Sequence, residues 1–231
     1  MARQKLLIFS ALYAASFAAY GQSSQFIGAY GQIGVGYQSA SPSFSNSSLS
    51  AGGQTLTPSI SATNATGFTG AISAGYNFQI AQQFLLGLGL DFNPIATPNA
   101  TATASYKGVQ GSYSQSASVH INNSLNLFVM PAIAIDPSKL LYGKVGYSAA
   151  SANGIDTDFY MAGYSLGLGY KQIIKNGWYG FGEFNYANYG SLNRSINGTL
   201  VNPAGLRIPA TLSATVSASS SNLLIGIGYQ F

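Results

Sequence analysis

The feature that most constrains the fold of this chain is an alternation, with a period of two, of apolar residues with small or polar ones. In residues 68–78, aromatic and aliphatic side chains such as Ile72 and Tyr76 fall at one parity, and small or polar residues fill the other. The same pattern covers 84–93 and 125–133. A period of two indicates a β-strand with one apolar face. These segments are nine to eleven residues long, the length that a tilted strand needs to cross a bilayer.

Eight such strands can be counted along the chain. They are predicted over 26–37, 68–78, 84–93, 125–133, 141–148, 159–171, 178–189 and 223–231. The connections between them alternate in length. The long ones are 39–66, 95–118, 149–158 and 190–215, and the short ones are 79–82, 136–139 and 172–177. This alternation is typical of a transmembrane barrel with long external loops and short periplasmic turns.

Backbone groups in hydrocarbon must all be paired, so a membrane-spanning sheet has to close on itself. The sequence therefore predicts an all-β fold, an eight-stranded antiparallel transmembrane up-and-down β-barrel with four long external loops and three short periplasmic turns. Two of those turns carry hairpin residues, Asp136 with Pro137 and Asn176 with Gly177.

A secreted β-sandwich is the competing fold, because its strands alternate as well. A sandwich buries its apolar face, however, and has no reason to place aromatic residues at both ends of successive outward faces. The aromatic residues at the periplasmic end are Tyr76, Phe78, Phe84, Tyr170, Trp178 and Tyr229, and those at the external end are Tyr37, Phe68, Phe92, Tyr147 and Tyr160. These two girdles favour the barrel.

Composition leaves little material for chemistry. Only 6% of the residues are charged, there is one His and no Cys, and the formal net charge is +4. We therefore expect no enzyme activity, no cofactor, no metal and no disulfide. The basic residues are spread thinly, so no nucleic-acid partner is expected.

The first residues have the organisation of an export signal. Arg3 and Lys5 precede an apolar stretch over 6–19, and small residues follow up to Gly21. We predict a cleaved signal peptide over 1–21 and a barrel domain over 22–231. Cleavage after Ala18 and an uncleaved anchor are the alternatives.

Strand parity places four charged residues inside the barrel: Asp91, Lys144, Lys171 and Glu183. Lys144 and Glu183 lie about five residues above their periplasmic turns, so we expect these two to meet. A charge in so narrow an interior is costly unless it is paired. The pair can be interpreted as a structural ion pair or as a gate across a pore.

Three stretches carry a resemblance to a known superfamily. They are the C-terminal 225–231, which ends in Phe231 after apolar residues at alternate positions, together with 141–147 and 183–186. Here the chain resembles the small eight-stranded barrels of the outer-membrane protein A, opacity protein and surface-antigen superfamily. The resemblance covers essentially all of 22–231. Because the chain stops at Phe231, the periplasmic peptidoglycan-binding domain of outer-membrane protein A itself is expected to be missing.

This resemblance implies a monomeric, non-enzymatic protein of the Gram-negative outer membrane, in contact with lipid and lipopolysaccharide. Ile227, Tyr229 and Phe231 would form the signal that the barrel-assembly machinery reads during insertion. Members of the superfamily act as envelope-structural proteins, adhesins or immune-evasion factors, so an adhesin or surface antigen is expected. A small passive pore is the alternative.

Two enzyme patterns known in outer-membrane barrels are incomplete here. Barrel lipases place a His two residues before a nucleophilic Ser, but Asn122 stands two residues after His120. Asp156 and Asp158 with His120 could imitate the acidic surface proteases, which have ten strands and longer chains. Both patterns are weaker than the non-enzymatic interpretation.

The two longest connections, 39–66 and 190–215, are rich in Ser, Ala, Asn and Thr and almost uncharged. Loops on a rigid scaffold commonly carry function, so surface recognition is one interpretation and variable decoration is the other. Alternating apolar residues such as Leu212, Ala214 and Val216 indicate that strands continue beyond the bilayer.

Overall fold

The computed structural model describes residues 24–108, 111–154, 157–201 and 207–231, and these contain eleven β-strands. The strands are β1 (Gly28–Ala51), β2 (Gln54–Leu56), β3 (Ser59–Ala62), β4 (Ala65–Gln79), β5 (Phe84–Asn93), β6 (Ala100–Gly108), β7 (Gly111–Asp136), β8 (Lys139–Gly154), β9 (Thr157–Lys175), β10 (Trp178–Val201) and β11 (Arg207–Gln230). Within these ranges no helix has the length and apolar content to cross a membrane. The predicted signal peptide lies outside the described residues.

Eight of the strands form a closed antiparallel ring in the order β7, β5, β4, β1, β11, β10, β9, β8, and the pairing of β8 with β7 closes it. The first and last strands of the barrel pair from Tyr30↔Gln230 to Ala51↔Ala210, with one register shift between Ser45 and Ser48. The predicted eight-stranded antiparallel barrel is confirmed.

Alternation sends the two parities of each strand to opposite sides of the wall. On β1, Ile33 and Val35 are 57% and 65% exposed on the outer face, whereas the inward Gln32 is 4% exposed. A continuous apolar surface of this kind is stable only against lipid. Aromatic pairs lie at both ends of it, with Trp178 and Tyr229 rings 5.3 Å apart at the periplasmic end.

Most of what the sequence assigns to external loops is hydrogen-bonded strand. β10 and β11 remain paired out to Val201↔Arg207, and three short strands, β2, β3 and β6, add to the external end. Above the bilayer both faces of a sheet meet water, so a strand there needs no apolar alternation. The alternation of Leu212, Ala214 and Val216 predicted that strands continue beyond the bilayer, and β11 confirms this. In residues 190–201, by contrast, Ser, Thr and Asn form a strand that the periodicity does not reveal.

The periplasmic connections are tight turns. Asn176 and Gly177 both have positive φ, 48° and 81°, as a two-residue hairpin turn requires. The predicted start of the first strand at Phe26 is wrong, because β1 begins only at Gly28. Gly28 has a φ of 108°, which favours glycine and lets the chain turn so that Phe26 points into the barrel, fully buried.

Candidate functional site

The barrel interior holds a charged layer centred on Lys144. Its ammonium lies 2.8 Å from Glu183 Oε2 and 3.1 Å from Asp91 Oδ2. Tyr142 donates a hydrogen bond of 2.7 Å to Glu183, and Asn185 donates one of 2.8 Å. One cation thus meets two carboxylates, each held by further donors, which is the arrangement that makes a buried charge tolerable.

Strand geometry explains why Lys144 and Glu183 meet. Lys144 on β8 and Glu183 on β10 are separated by β9, where they pair with Gly167 and Gly169. A Cβ at Gly167 would lie 2.7 Å from Asn185 Oδ1 and 3.2 Å from Lys144 Cβ, so glycine here leaves space for both side chains. Asp91 lies on β5, which is separated from β8 by β7, so the two carboxylates approach Lys144 from either side.

The second buried cation, Lys171, lies in a cage of tyrosines. Its Nζ lies 3.9 Å from the ring centre of Tyr30, 5.0 Å from that of Tyr179 and 5.1 Å from that of Tyr142. Lys171 is 1% exposed, and no ion pair to it is found in the described part of the chain. Cation–π attraction is therefore its main stabilisation.

Apolar side chains close the periplasmic half of the lumen. Phe26 is fully buried, and its ring lies edge-on to Tyr179 at 5.9 Å. Asn77 fixes this segment by donating a 2.8 Å hydrogen bond to the Phe26 carbonyl. The buried side chains of this plug are Phe26, Tyr30, Leu85, Phe128, Met130, Ala132, Ala134, Leu140, Tyr142, Tyr179, Phe181 and Leu224.

Above the charged layer lies a polar cavity of about 60 Å³, lined by Asp91, Glu183 and several Asn and Ser side chains. This volume holds a few water molecules. A second apolar cluster, which includes Ile121, Phe159, Met161 and Tyr189, packs at its external side. The interior is therefore a filled lumen with a small wet chamber.

The residues considered for catalysis do not form a site among the residues that are described. His120 pairs with Asn153 and lines a small apolar pocket beside Phe159. Asp156 lies outside the described residues, and the side chain of Asp158 is likewise not described. No cluster of three His, Cys, Asp or Glu side chains occurs within the described ranges.

The C-terminal residues form a seam on the lipid-facing wall. Ile227 and Phe231 are 49% and 77% exposed, and the ring of Tyr229 lies 5.0 Å from that of Phe231. The Phe231 amide donates a hydrogen bond of 2.9 Å to the Ala29 carbonyl. These contacts join the last strand to the first.

The external sheet is the second candidate site. β10 pairs with β9 only up to Tyr189↔Gly163. Beyond an irregularity after Tyr189, residues 192–201 pair with β11 on one side and with no described strand on the other. Polar ladders tie these residues to β11. The Ser195 and Ser213 hydroxyls lie 2.8 Å apart. The Thr211 hydroxyl donates a 2.8 Å hydrogen bond to Asn197 Oδ1, and the Thr215 hydroxyl donates one of 2.8 Å to Asn193 Oδ1.

Sequence reasoning missed three of these features. Parity placed Asp91 in the lumen but did not match it to Lys144, although β5 and β8 flank β7 just as β8 and β10 flank β9. The tyrosine cage of Lys171 needs the ring closure to be known, because its members come from β1, β8 and β10. The external edge strand carries no periodic signal at all.

The closed ring, the apolar outer belt with aromatic ends and the polar lumen define an outer-membrane β-barrel protein. The chain belongs to the family described as outer membrane protein beta-barrel domain, whose model matches residues 6–231. No curated protein matches its sequence.

Solved structures with this architecture include OprG from Pseudomonas aeruginosa. It is 17% identical, and the match covers 90% of this chain and 99% of OprG with a TM-score of 0.56, which shows a common fold. Ail of Yersinia pestis is 14% identical, with 89% and 100% of the two chains covered and a TM-score of 0.41. Neisserial surface protein A is also 14% identical, with 86% and 97% covered and a TM-score of 0.41.

Proposed function

We propose that this outer-membrane protein is non-enzymatic and that it contributes to envelope structure and to interactions at the cell surface, as an adhesin or surface antigen. The observation that carries the proposal is the external sheet. β10 and β11 continue well past the lipid-facing belt as a paired ladder. Such an extension serves no purpose in spanning the membrane, whereas a rigid platform serves recognition.

The open edge of β10 supports the same proposal. An unpaired strand presents a row of backbone donors and acceptors to which an extended segment of another protein can add. Natural edge strands are commonly blocked by charges or Pro, but within 190–201 the only charged residue is Arg194 and there is no Pro. The hydroxyl and amide ladders hold this edge strand to β11.

A small passive pore is the second candidate, and the polar cavity beside Asp91 and Glu183 is what favours it. The filled periplasmic half of the lumen argues against it. Eight strands give an interior just wide enough for side chains. Phe26, Tyr142 and Tyr179 occupy that space and are at most 1% exposed.

Export and assembly complete the proposal. We infer that residues 1–21 are removed as a signal peptide and that the barrel works as a monomer in contact with lipopolysaccharide. Ile227, Tyr229 and Phe231 would serve the barrel-assembly machinery. Phe231→Ser should then reduce the yield of heat-modifiable barrel in the outer membrane, whereas Phe68→Ser, which removes an equally exposed aromatic side chain at the other girdle, should not.

The surface proposal is tested by shortening the external sheet without touching the barrel. Ser195 pairs with Ser213, so replacing residues 196–212 by Asn-Gly closes the ladder with a two-residue hairpin turn. Gram-negative cells that display this variant should assemble it normally but attach less to a cultured epithelial monolayer than cells displaying the intact protein. A control that replaces Gly52 and Gly53 by Asn-Gly should attach normally. Equal attachment of the shortened variant would contradict the proposal.

A further inference from the structure

The lipid-facing wall carries an apolar groove near the periplasmic end of β5, β7 and β8. Its volume is about 290 Å³. The outward side chains along it are Ile80, Phe84, Pro131, Ile133, Leu141 and Leu168.

The groove exists because the β7–β8 ladder has a gap and an outward side chain is missing at this point. The pairing of β7 with β8 is interrupted between Val129↔Val145 and Ala132↔Tyr142, next to Pro131, which has no N–H to donate. Opposite Pro131 the outward residue is Gly143. A missing side chain and a gap in the ladder together produce the depression.

A cation lies at the periplasmic end of the groove. Lys139, Leu141 and Gly143 share the outward face of β8, so Lys139 lies one side-chain position below the groove floor. Its side chain is 41% exposed, and its ammonium lies 2.8 Å from Asp136 Oδ2. The ammonium has three donors, and the contact with Asp136 leaves two for another acceptor.

We propose that this groove binds one acyl chain of a glycerophospholipid of the periplasmic leaflet, with the lipid phosphate on Lys139. At roughly 30 Å³ for each water-sized group, the groove holds on the order of ten methylene groups, which is a large part of one chain. The polar end of a lipid lies at the membrane surface and its chain points inward. Lys139 and the groove are arranged in that order.

The location excludes other occupants. The groove lies in the apolar belt, where lipid chains are the surrounding medium, and it opens at the end of the barrel that carries the short turns. Lipopolysaccharide occupies the opposite leaflet. The phosphate and the acyl chain must therefore come from a phospholipid, and the site is independent of any interaction at the external sheet.

Native mass spectrometry of the refolded protein with dioleoyl phosphatidylglycerol tests this proposal. Gly143→Trp fills the groove, and Gly31→Trp is the matched control, since Gly31 is a second outward glycine near the periplasmic end. An added Cβ would meet no atom closer than 3.8 Å at Gly143 and none within 4 Å at Gly31, so both variants should fold. Gly143→Leu gives the same test if the larger ring impairs assembly.

The intact protein should retain one lipid, and Gly143→Trp should lower the retained fraction by about tenfold while Gly31→Trp leaves it unchanged. Lys139→Gln should lower it by roughly tenfold, with Lys175→Gln, at another periplasmic turn, as the unaffected control. Equal lipid retention by the two Trp variants would contradict the proposal that the groove is the binding site. If the intact protein retained dioleoylglycerol, which lacks the phosphate, as well as it retains dioleoyl phosphatidylglycerol, the proposed role of Lys139 would be contradicted.

Discussion

Lys144 and Glu183 form a two-oxygen ion pair in the barrel interior, with the ammonium 2.8 Å from Oε2 and 2.9 Å from Oε1. Both side chains are 2% exposed. The same ammonium also lies 3.1 Å from both oxygens of Asp91. Lys144 thus pairs with two carboxylates, whereas Glu183 and Asp91 each pair with this one lysine. This difference decides which substitutions are costly.

We expect Lys144→Met to destabilise the barrel more than Glu183→Gln. Removing Lys144 leaves two carboxylates in the lumen without a cation, a cost at the upper end of about 3–5 kcal/mol. Removing the charge of Glu183 leaves Lys144 paired with Asp91, so the cost falls at or below the lower end of that range. Urea unfolding in lipid vesicles measures both free energies.

The double variant Lys144→Met with Glu183→Leu should lose less stability than Lys144→Met alone, because neither substituted side chain carries a buried charge that needs a partner. The remaining Asp91 has a side chain that is 16% exposed and borders the wet cavity, so it can be hydrated. Additive losses in Lys144→Met, Glu183→Leu and the double variant would show that the two side chains do not interact.

Lys171→Met should change the free energy of unfolding in the opposite direction. Burying an unpaired ammonium costs several kcal/mol, and cation–π attraction returns about 2 kcal/mol in a desolvated site. Methionine keeps the side-chain length without the charge, so the barrel should become more stable by about 1–4 kcal/mol. A loss of stability in the same urea assay would mean that Lys171 has an anionic partner.

The pH dependence of the β7–β8 turn follows from Asp136. Hydrogen bonds from Lys139 and then Ser138 lower the pKa of Asp136 from 3.8 to about 2. A lowered carboxyl pKa stabilises the fold above the unfolded value and loses that effect as the pH falls from 3.8 to about 2. The turn is exposed, so the effect should stay below about 1 kcal/mol.

NMR titration of the Asp136 carboxyl group checks this expectation. Lys139→Gln should move its pKa back toward 3.8. Lys175→Gln, which alters a different turn, should leave it unchanged. An unaltered pKa in Lys139→Gln would show that the contact between Lys139 and Asp136 does not persist in the membrane.

Deleting residues 47–58 should leave the barrel assembled. The Ser47 hydroxyl donates a 2.8 Å hydrogen bond to the Pro58 carbonyl, so the ends of the deleted segment already lie together. The change in loop-closure entropy is below about 1 kcal/mol. Heat-modifiable migration of the variant measures assembly, and protease access on intact cells to an epitope inserted at Gly53 of the undeleted protein measures topology. An epitope that is reached only after lysis would mean that the barrel is inverted.

The sequence predicted the barrel because lipid on one side and a narrow lumen on the other impose opposite polarity on neighbouring residues. That constraint acts only within the bilayer. It located the strand that carries Ile33 and Val35, and it put Lys144 and Glu183 on the inner face. It gave no signal for residues 190–201, where water lies on both sides of the sheet.

Contacts inside the lumen could not be predicted in the same way. The approach of Asp91 to Lys144 depends on the tilt and stagger of β5 and β8, the two strands that flank β7. The position of Phe26 depends on the backbone turn at Gly28, whose φ of 108° has no signature beyond the glycine itself. Both features fill the lumen, and both bear on whether solutes can pass.

Single-channel recording of the refolded residues 22–231 in planar bilayers tests the central claim most directly. Phe26, Tyr142 and Tyr179 fill the periplasmic half of the lumen, so we predict that the current stays at baseline in concentrated KCl. Steady openings with a defined unitary conductance would contradict this account and establish the protein as a pore.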